Sequence, residues 1–223
     1  LTGANAAAVM GRHYGPWPGP TLQRLMEERG TLFTEASEFG GAVLANAYPP
    51  AYFAAMGGRR HRPNAPAFAA LAAGLELRDL DAYRAGGAAA ADLTGERFAA
   101  MDPSLSAHGA AGTAAALLGL ASAAAFTFFD VWPTDALGHA QDFTGATRLL
   151  GLLDDVLSRL GGRGVTVVVT SDHGNLEDVG SGQHTDAEVP LLVLGPHAEE
   201  FAGATSLVDV APAIRGAWRR TGR

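Results

Sequence analysis

The sequence predicts an α/β fold in which helices cover both faces of a mainly parallel sheet. Three short, nearly continuous apolar runs in the C-terminal half carry this prediction, at residues 125–130, 165–170 and 189–195. Strands that are buried on both faces have this continuous pattern, whereas half-exposed strands alternate. A helical pattern separates the first two runs, and the order strand, helix, strand is typical of parallel sheets with helical crossovers.

The N-terminal elements are predicted from caps and helix breakers. A helix is expected from Thr21, as its N-cap, to Arg29, and Gly30 follows in the position that favours a left-handed cap. Residues 42–48 (AVLANAY) have the composition of a strand, and the Pro-Pro pair that follows ends it.

The middle of the chain differs in composition from both ends. Residues 49–103 are rich in Ala, Gly and Pro with scattered Arg, and we expect a small, partly helical insertion there. Residues 1–48 and 104–223 would then form one core domain. Within that core, a helix is predicted from four apolar residues at helical spacing and from the GGRG sequence that ends it at 161–164. The four residues are Leu149, Leu153, Val156 and Leu160.

Composition excludes several classes of function. The 223 residues suit one large domain, or one domain with an insertion, and 48% hydrophobic residues allow a proper core. A formal net charge of −7 argues against nucleic acid or an anionic membrane as the main partner. The apolar runs are too short to span a bilayer. Because the chain has no Cys, any metal ion must be bound by His and carboxylate side chains.

Carboxylate and imidazole side chains follow two of the predicted strands. Asp135 and His139 are four residues apart, which places both on one face of a helix. Asp172 and His173 directly follow the second strand, and His184 comes later in the same loop. Ligands gather beyond the carboxyl ends of strands in such sheets, so we expect these five side chains to meet. Two Asp and three His suit Zn²⁺ or Mn²⁺ better than Ca²⁺.

Each of these motifs has a simpler interpretation when it is taken alone. An Asp-x-x-x-His pair is usually a solvated helix face, and Ser-Asp-His-Gly after a strand is also compatible with a turn that has an Asp cap. His184 alone would be an ordinary histidine. The occurrence of all three in this order, each beyond a strand, favours a metal centre.

The motifs resemble those of the alkaline phosphatase superfamily, in the branch of cofactor-independent phosphoglycerate mutase and related metalloenzymes. The resemblance is carried by TDALGH (134–139), TSDHGN (170–175) and QHT (183–185) followed by VPLLVLG (189–195). It covers residues 124–215, including SLVDVAPAI (206–214), which is similar to the closing strand-to-helix segment of the family. It implies an alkaline-phosphatase-like three-layer α/β/α fold.

The resemblance also implies two divalent metal ions, Mn²⁺ or Zn²⁺, that receive a phosphate. Asp135, His139 and His184 match the ligands of one metal, and Asp172 and His173 match two ligands of the other. In the family, an Asp on the first strand and a Ser or Thr nucleophile complete the second site. The family has a segment similar to LTGANA, the first six residues here, shortly after the nucleophile. The nucleophile and the N-terminal strand are therefore expected upstream of Leu1, and the chain as given is expected to be inactive.

Several residues near these motifs are weaker candidates. Asp142 and Asp130 are expected to orient metal-bound histidines, with helix capping as the alternative for Asp142. Asn175 is expected to brace the Asp-His turn, or to adopt a left-handed backbone there. Glu177 and Asp178 are expected to be solvated.

Basic residues in two loops are candidates for substrate binding. Arg12 and His13 lie in a Gly- and Pro-rich loop, where they would meet a substrate phosphate or be ordinary loop residues. Four basic residues in the insertion would cover an anionic substrate or would simply be solvated, namely Arg59, Arg60, His61 and Arg62.

The expected function is divalent-metal-dependent phosphoryl transfer, by a phosphatase, a phosphodiesterase or a phosphomutase-like enzyme. The expected partner is a small phosphorylated substrate, without nucleic acid or membrane, and the expected location is the cytoplasm. Two alternatives remain open. One is a sulfatase-type hydrolase of the same superfamily, and the other is a non-catalytic metal-binding relative that lacks the nucleophile.

Overall fold

The computed structural model describes residues 1–11, 17–56 and 63–221, and there the protein is a mixed α/β structure in which helices dominate. This confirms the α/β class. The strands are β1 (Ala42–Leu44), β2 (Phe126–Phe128), β3 (Val167–Thr170) and β4 (Leu191–Leu194). The helices of the described ranges are α1 (Ala6–Met10), α2 (Pro20–Arg29), α3 (Leu32–Glu35), α4 (Pro50–Met56), α5 (Ala65–Ala72), α6 (Leu80–Arg84), α7 (Glu96–Met101), α8 (Gly109–Ala123), α9 (Pro133–His139), α10 (Phe143–Leu160) and α11 (Leu207–Thr221).

The strands form two separate pairs. β1 and β2 are parallel, with Ala42 opposite Phe126 and Leu44 opposite Phe128. β3 and β4 are antiparallel, so this pair departs from the mainly parallel arrangement that the sequence suggested. The reason is the connection, because parallel pairing needs a crossover, usually a helix. The chain between β3 and β4 contains only a short 3-10 turn (Leu176–Asp178) and returns in the opposite direction.

Two N-terminal boundaries differ from the sequence prediction. α2 begins at Pro20 with Gly19 as its N-cap, so the assignment of Thr21 as N-cap was wrong. A proline suits the first helical position, because its φ is fixed near the helical value and its missing N–H has no partner there anyway. Gly30 ends the helix with a positive φ of 73°, but its ψ of 174° lies outside the left-handed helical region that was expected. The strand that was predicted over residues 42–48 ends at 44 and continues only as isolated bridges.

The segment 49–103 contains four short helices, α4 to α7, within its described part. Tyr83 of α6 connects this segment to the following chain. Its side chain is 1% exposed, and its hydroxyl donates to the Ser106 carbonyl and accepts from the His108 N–H. The division into a core domain and an insertion stays a prediction.

One hydrophobic core positions the strand ends that carry the metal motifs. The apolar face of α10 supplies Leu149, Val156 and Leu160, all buried, as its spacing predicted. Val43 of β1 is buried in the same core, and Val167 of β3 packs against it. Both strand pairs therefore pack against the same hydrophobic core. No helix in the described part of the chain is long and apolar enough to cross a membrane.

Candidate metal centre

Helix α9 places Asp135 and His139 side by side. It begins at Pro133, shortly after β2, and the two residues are one turn apart on it. Asp135 Oδ1 lies 3.3 Å from His139 Nε2. Their four-residue spacing predicted that both side chains lie on one face of a helix, and this contact agrees with that prediction.

His184 joins this pair from the loop between β3 and β4. Its Nε2 lies 3.3 Å from Asp135 Oδ1 and 3.2 Å from His139 Nε2. The three donor atoms thus form a nearly equilateral triangle. Ligands at 2.0–2.1 Å around a tetrahedral zinc ion are roughly 3.3 Å apart, so this triangle has the dimensions of one face of such a shell.

Hydrogen bonds at the far side of two histidine rings fix which nitrogen faces the site. His139 Nδ1 lies 3.0 Å from the Gly182 carbonyl oxygen, and His173 Nδ1 lies 3.3 Å from that of Gly174. A carbonyl can only accept, so we assign a proton to Nδ1 in both rings, which leaves Nε2 as the nitrogen that can present a lone pair to the site. Metal-binding histidines typically donate their second N–H in this way.

Asp135 Oδ1 is shielded from solvent and accepts no hydrogen bond from the described residues. It faces the lone pair of His139 Nε2 at 3.3 Å. Two lone pairs at this distance repel each other unless a proton or a cation lies between them. The donor set therefore fits a divalent cation, which would satisfy all three atoms at once.

His173 and Asp172 extend the site on one side. His173 Nε2 lies 3.8 Å from Asp135 Oδ1 and 3.6 Å from Asp172 Oδ1. The rings of His173 and His184 stack with their centroids 3.7 Å apart. The Asp172 side chain is 88% exposed, whereas that of His173 is 18% exposed. The structure therefore brings Asp135, His139, His173 and His184 together, and Asp172 lies beside His173 at the solvent edge.

The loop that carries these residues is closed on itself. The Thr185 N–H donates to the Gly174 carbonyl at 2.9 Å. Glu177 accepts hydrogen bonds from the Asn175 N–H at 2.7 Å and from the Thr185 hydroxyl. The hydrogen bond from Thr185 holds the pKa of Glu177 below its ordinary value. Glu177 is exposed, as expected, and its carboxylate also joins the two ends of the loop.

Asp130 lies directly beyond β2 and faces the same site. The Asp130 N–H donates to Asn46 Oδ1, and Asn46 Nδ2 donates to the Asp130 carbonyl, at 2.8 and 2.7 Å. Its carboxylate accepts from Asn64 Nδ2 at 3.4 Å. Burial, together with the negative charges of Asp172 and Asp135, raises the pKa of Asp130 to about 6. A carboxylate here adds negative charge that a bound cation would stabilise.

The remaining candidates occupy varied positions. Asp142 is the N-cap of α10, and its Oδ1 accepts from the Gly145 N–H at 2.9 Å. Asn175 is 4% exposed and lies in the loop between β3 and β4, residues 171–190, which we call the metal loop. Sequence reasoning missed Gln141, whose amide donates to the Gly180 carbonyl and whose positive φ of 55° ends the α9 region. Arg12 and His13, like the basic residues at 59–62, lie outside the described residues.

A comparison with protein families identifies the chain. The sequence profile of the family described as "Metalloenzyme superfamily" matches residues 98–216, just over half of the chain. The chain belongs to the Metalloenzyme superfamily. The matched region contains all five candidate ligands, and membership implies that the chain binds a divalent metal. The fit of Asp135, His139 and His184 to one cation agrees with this.

Similar curated proteins are 2,3-bisphosphoglycerate-independent phosphoglycerate mutases, which confirms the resemblance read from the motifs. Those of Desulforudis audaxviator, Chromobacterium violaceum and Haloquadratum walsbyi are 37%, 34% and 32% identical over 94, 91 and 93 residues. Each match covers 36% of this chain and 18% of the relative, so the chain spans about a fifth of the length of these relatives. No solved structure matches the chain at comparable significance.

Proposed function

We propose that this chain carries the metal centre of a divalent-metal-dependent phosphoryl-transfer enzyme that acts on a small phosphorylated substrate. The triangle of Asp135 Oδ1, His139 Nε2 and His184 Nε2, with edges of 3.2 to 3.3 Å, is the observation that carries the proposal. The similar proteins are mutases of a phosphorylated compound, which supports this class of substrate. A phosphatase, a phosphodiesterase and a phosphomutase-like enzyme are all compatible with this proposal.

Two ions are proposed, with Mn²⁺ or Zn²⁺ as the metals. Asp135, His139 and His184 would hold the first, and Asp172 and His173 would supply two ligands to the second. Bound cations of this kind polarise phosphoryl oxygens and lower the pKa of an attacking hydroxyl or water. The protein contributes fixed lone pairs, because the far nitrogens of His139 and His173 are bound to backbone carbonyls. It also contributes carboxylates that balance the charge of the cations.

Three hydroxyl groups near the proposed ligands donate hydrogen bonds to other parts of the chain. The hydroxyls of Thr134, Ser171 and Thr185 donate to the Val131 carbonyl, the His173 carbonyl and the Glu177 carboxylate. These contacts identify no nucleophile, because a hydroxyl that donates a hydrogen bond keeps its oxygen lone pairs. A metal-binding relative that does not catalyse phosphoryl transfer is therefore the second candidate.

Metal analysis combined with ester hydrolysis tests both candidates. The chain is purified without chelators, its Mn and Zn contents are measured, and an aryl phosphate, an aryl phosphodiester and an aryl sulfate are offered with each metal. Bound metal with phosphate ester turnover supports the full proposal, and bound metal without any turnover supports the metal centre in a chain that does not itself supply the nucleophile. Turnover of the sulfate ester alone indicates a sulfatase-type enzyme. No metal as purified, and none taken up on addition, would contradict the proposed function.

His184→Ala and Gln183→Ala are the matched variants for this experiment. Gln183 is the exposed neighbour of His184, and its side-chain amide donates a hydrogen bond only to the Gly182 carbonyl among the described residues. We expect metal binding and any turnover to be lost in His184→Ala and kept in Gln183→Ala.

A further inference from the structure

We propose that Asn175 and Gly138 form a positioning contact that fixes the metal loop against α9 and so places His184 beside His139. Neither residue is a ligand in the proposed centre, and the inference rests on that centre. The contact joins the two parts of the chain that supply the donor triangle. It would act on metal affinity through the position of His184.

Asn175 is held by both its backbone and its side chain. It is 4% exposed, although its neighbour Glu177 lies at the surface. Its N–H donates to Glu177 Oε2 at 2.7 Å, and its Nδ2 donates to the Gln183 carbonyl at 3.3 Å. Because Gln183 directly precedes His184, this side chain ties the start of the metal loop to the backbone beside a ligand.

Gly138 provides the surface on which Asn175 rests. It is a buried residue of α9, directly before His139. A Cβ atom at this position would lie 1.6 Å from Asn175 Oδ1 and 2.5 Å from its Cγ. The amide therefore packs on the bare backbone of the helix, which only glycine allows. Glycine is unfavourable inside a helix compared with alanine, so the residue is explained by the contact and not by helix formation.

Two further hydrogen bonds run in parallel with this contact at the surface. His139 Nδ1 bonds the Gly182 carbonyl at 3.0 Å, and Gln141 Nε2 bonds the Gly180 carbonyl. Both are exposed to solvent, whereas Asn175 is buried. The loss of a buried polar contact costs more free energy than the loss of an exposed one. We therefore infer that Asn175, more than the two exposed hydrogen bonds, fixes the distance between the metal loop and α9.

A double-mutant cycle tests the contact without any metal. The thermal midpoints of metal-free wild type, Gly138→Ala, Asn175→Ala and the double variant are compared. Gly138→Ala should lower the midpoint in wild type, because the added methyl displaces the Asn175 amide. The same change should leave the midpoint unaltered or raise it in Asn175→Ala, where the space is empty and the helix propensity of alanine remains. Gly151→Ala in α10, whose Cβ would meet nothing within 4 Å, is the control and should behave alike in both backgrounds.

Titration of the same proteins with Co²⁺ tests the positioning role. Changes in residues behind metal ligands typically cost 10–100-fold in affinity, and we expect about that loss in both single variants, with an altered visible spectrum of the bound Co²⁺. The loss in the double variant should be smaller than the product of the two single losses. Gly151→Ala should bind as wild type does.

The outcomes separate this inference from the proposed function. Equal effects of Gly138→Ala on the midpoint in both backgrounds would overturn the contact. Lowered midpoints with unchanged Co²⁺ affinity and spectrum would show a purely structural role and overturn the positioning claim. Failure of wild type to bind Co²⁺ would contradict the proposed function, and it would overturn the positioning of a metal ligand even if the metal-free cycle still showed the contact.

Discussion

His139 Nε2 lies 3.2 Å from His184 Nε2, although the two residues are 45 positions apart in the chain. The other nitrogen of His139 bonds the Gly182 carbonyl, two residues before His184. One imidazole thus contacts the loop backbone with one side and the loop's histidine with the other. This arrangement makes α9 and the metal loop a single unit.

Removal of a proposed ligand should weaken metal binding more than any change in the residues around it. We expect His184→Ala to weaken Zn²⁺ binding by more than about 100-fold, because the loss of a ligand leaves a coordination position empty, whereas changes behind a ligand typically cost 10–100-fold. Competition with a chromophoric chelator measures the affinity. Gln183→Ala is the control, and similar losses in the two variants would mean that the loop as a whole, and not the imidazole, is responsible.

Glu177→Ala should weaken metal binding more than Gln183→Ala does but less than His184→Ala does. The carboxylate accepts from the Asn175 N–H and the Thr185 hydroxyl, so its removal loosens the loop but leaves every proposed ligand in place. We expect a loss of Zn²⁺ affinity of about tenfold and faster amide hydrogen exchange over residues 171–185. Affinity and exchange that both match wild type would show that Glu177 does not hold the loop.

Asp130→Asn should stabilise the metal-free protein in a pH-dependent way. The pKa of Asp130 is raised to about 6 in the folded state, so the native state binds the proton more tightly than the unfolded chain does. The stability that the protonated Asp130 carboxyl group contributes is fully present below the pKa of the unfolded state, and it is lost as the pH rises through about 6. At pH 7.5 the ionised carboxylate then lowers the free energy of unfolding by up to about 3 kcal/mol.

The neutral amide of Asn removes this cost. Urea unfolding of the chelator-treated protein should show a gain for Asp130→Asn at pH 7.5 and none at pH 4. Equal gains at both pH values would point to better packing, and the absence of a gain at pH 7.5 would contradict the environment that we describe for Asp130.

The candidate ligands could be selected from the sequence because their spacing and their positions after strands are local features. The four-residue spacing of Asp135 and His139 predicts one helix face, and Asp172 follows a β-branched run that favours a strand. The positions of Glu177 and Gly138 were not accessible in this way. Glu177 acts on the Thr185 hydroxyl across a turn, and Gly138 is explained only by the Asn175 amide that packs on it. Such tertiary contacts leave no periodic signal.

Strand direction was only partly predictable. The apolar runs located the β3 and β4 regions to within two residues at each end. The direction of pairing depends on the connection, and the sequence between Thr170 and Leu191 has no helical pattern that would provide a crossover. The absence of that pattern was the available signal for the antiparallel pair.

Tyr83→Phe should destabilise the fold by about 1–3 kcal/mol, because it leaves the Ser106 carbonyl and the His108 N–H without their buried partner. Urea unfolding measures the loss. Tyr52→Phe in α4, whose side chain is less buried, is the comparison. A loss below about 0.5 kcal/mol for Tyr83→Phe would mean that water replaces the hydroxyl and that this link between α6 and residues 106–108 is weak.

X-ray absorption spectroscopy of the chain loaded with one equivalent of Zn²⁺ tests the metal centre most directly. We predict a first shell of N and O ligands at about 2.0–2.1 Å with the outer-shell scattering of at least two imidazole rings. That imidazole signal should fall in His139→Ala and in His184→Ala and persist in Gln183→Ala. A shell of oxygen ligands without imidazole scattering, or a spectrum that neither histidine variant changes, would contradict a metal centre built on Asp135, His139 and His184.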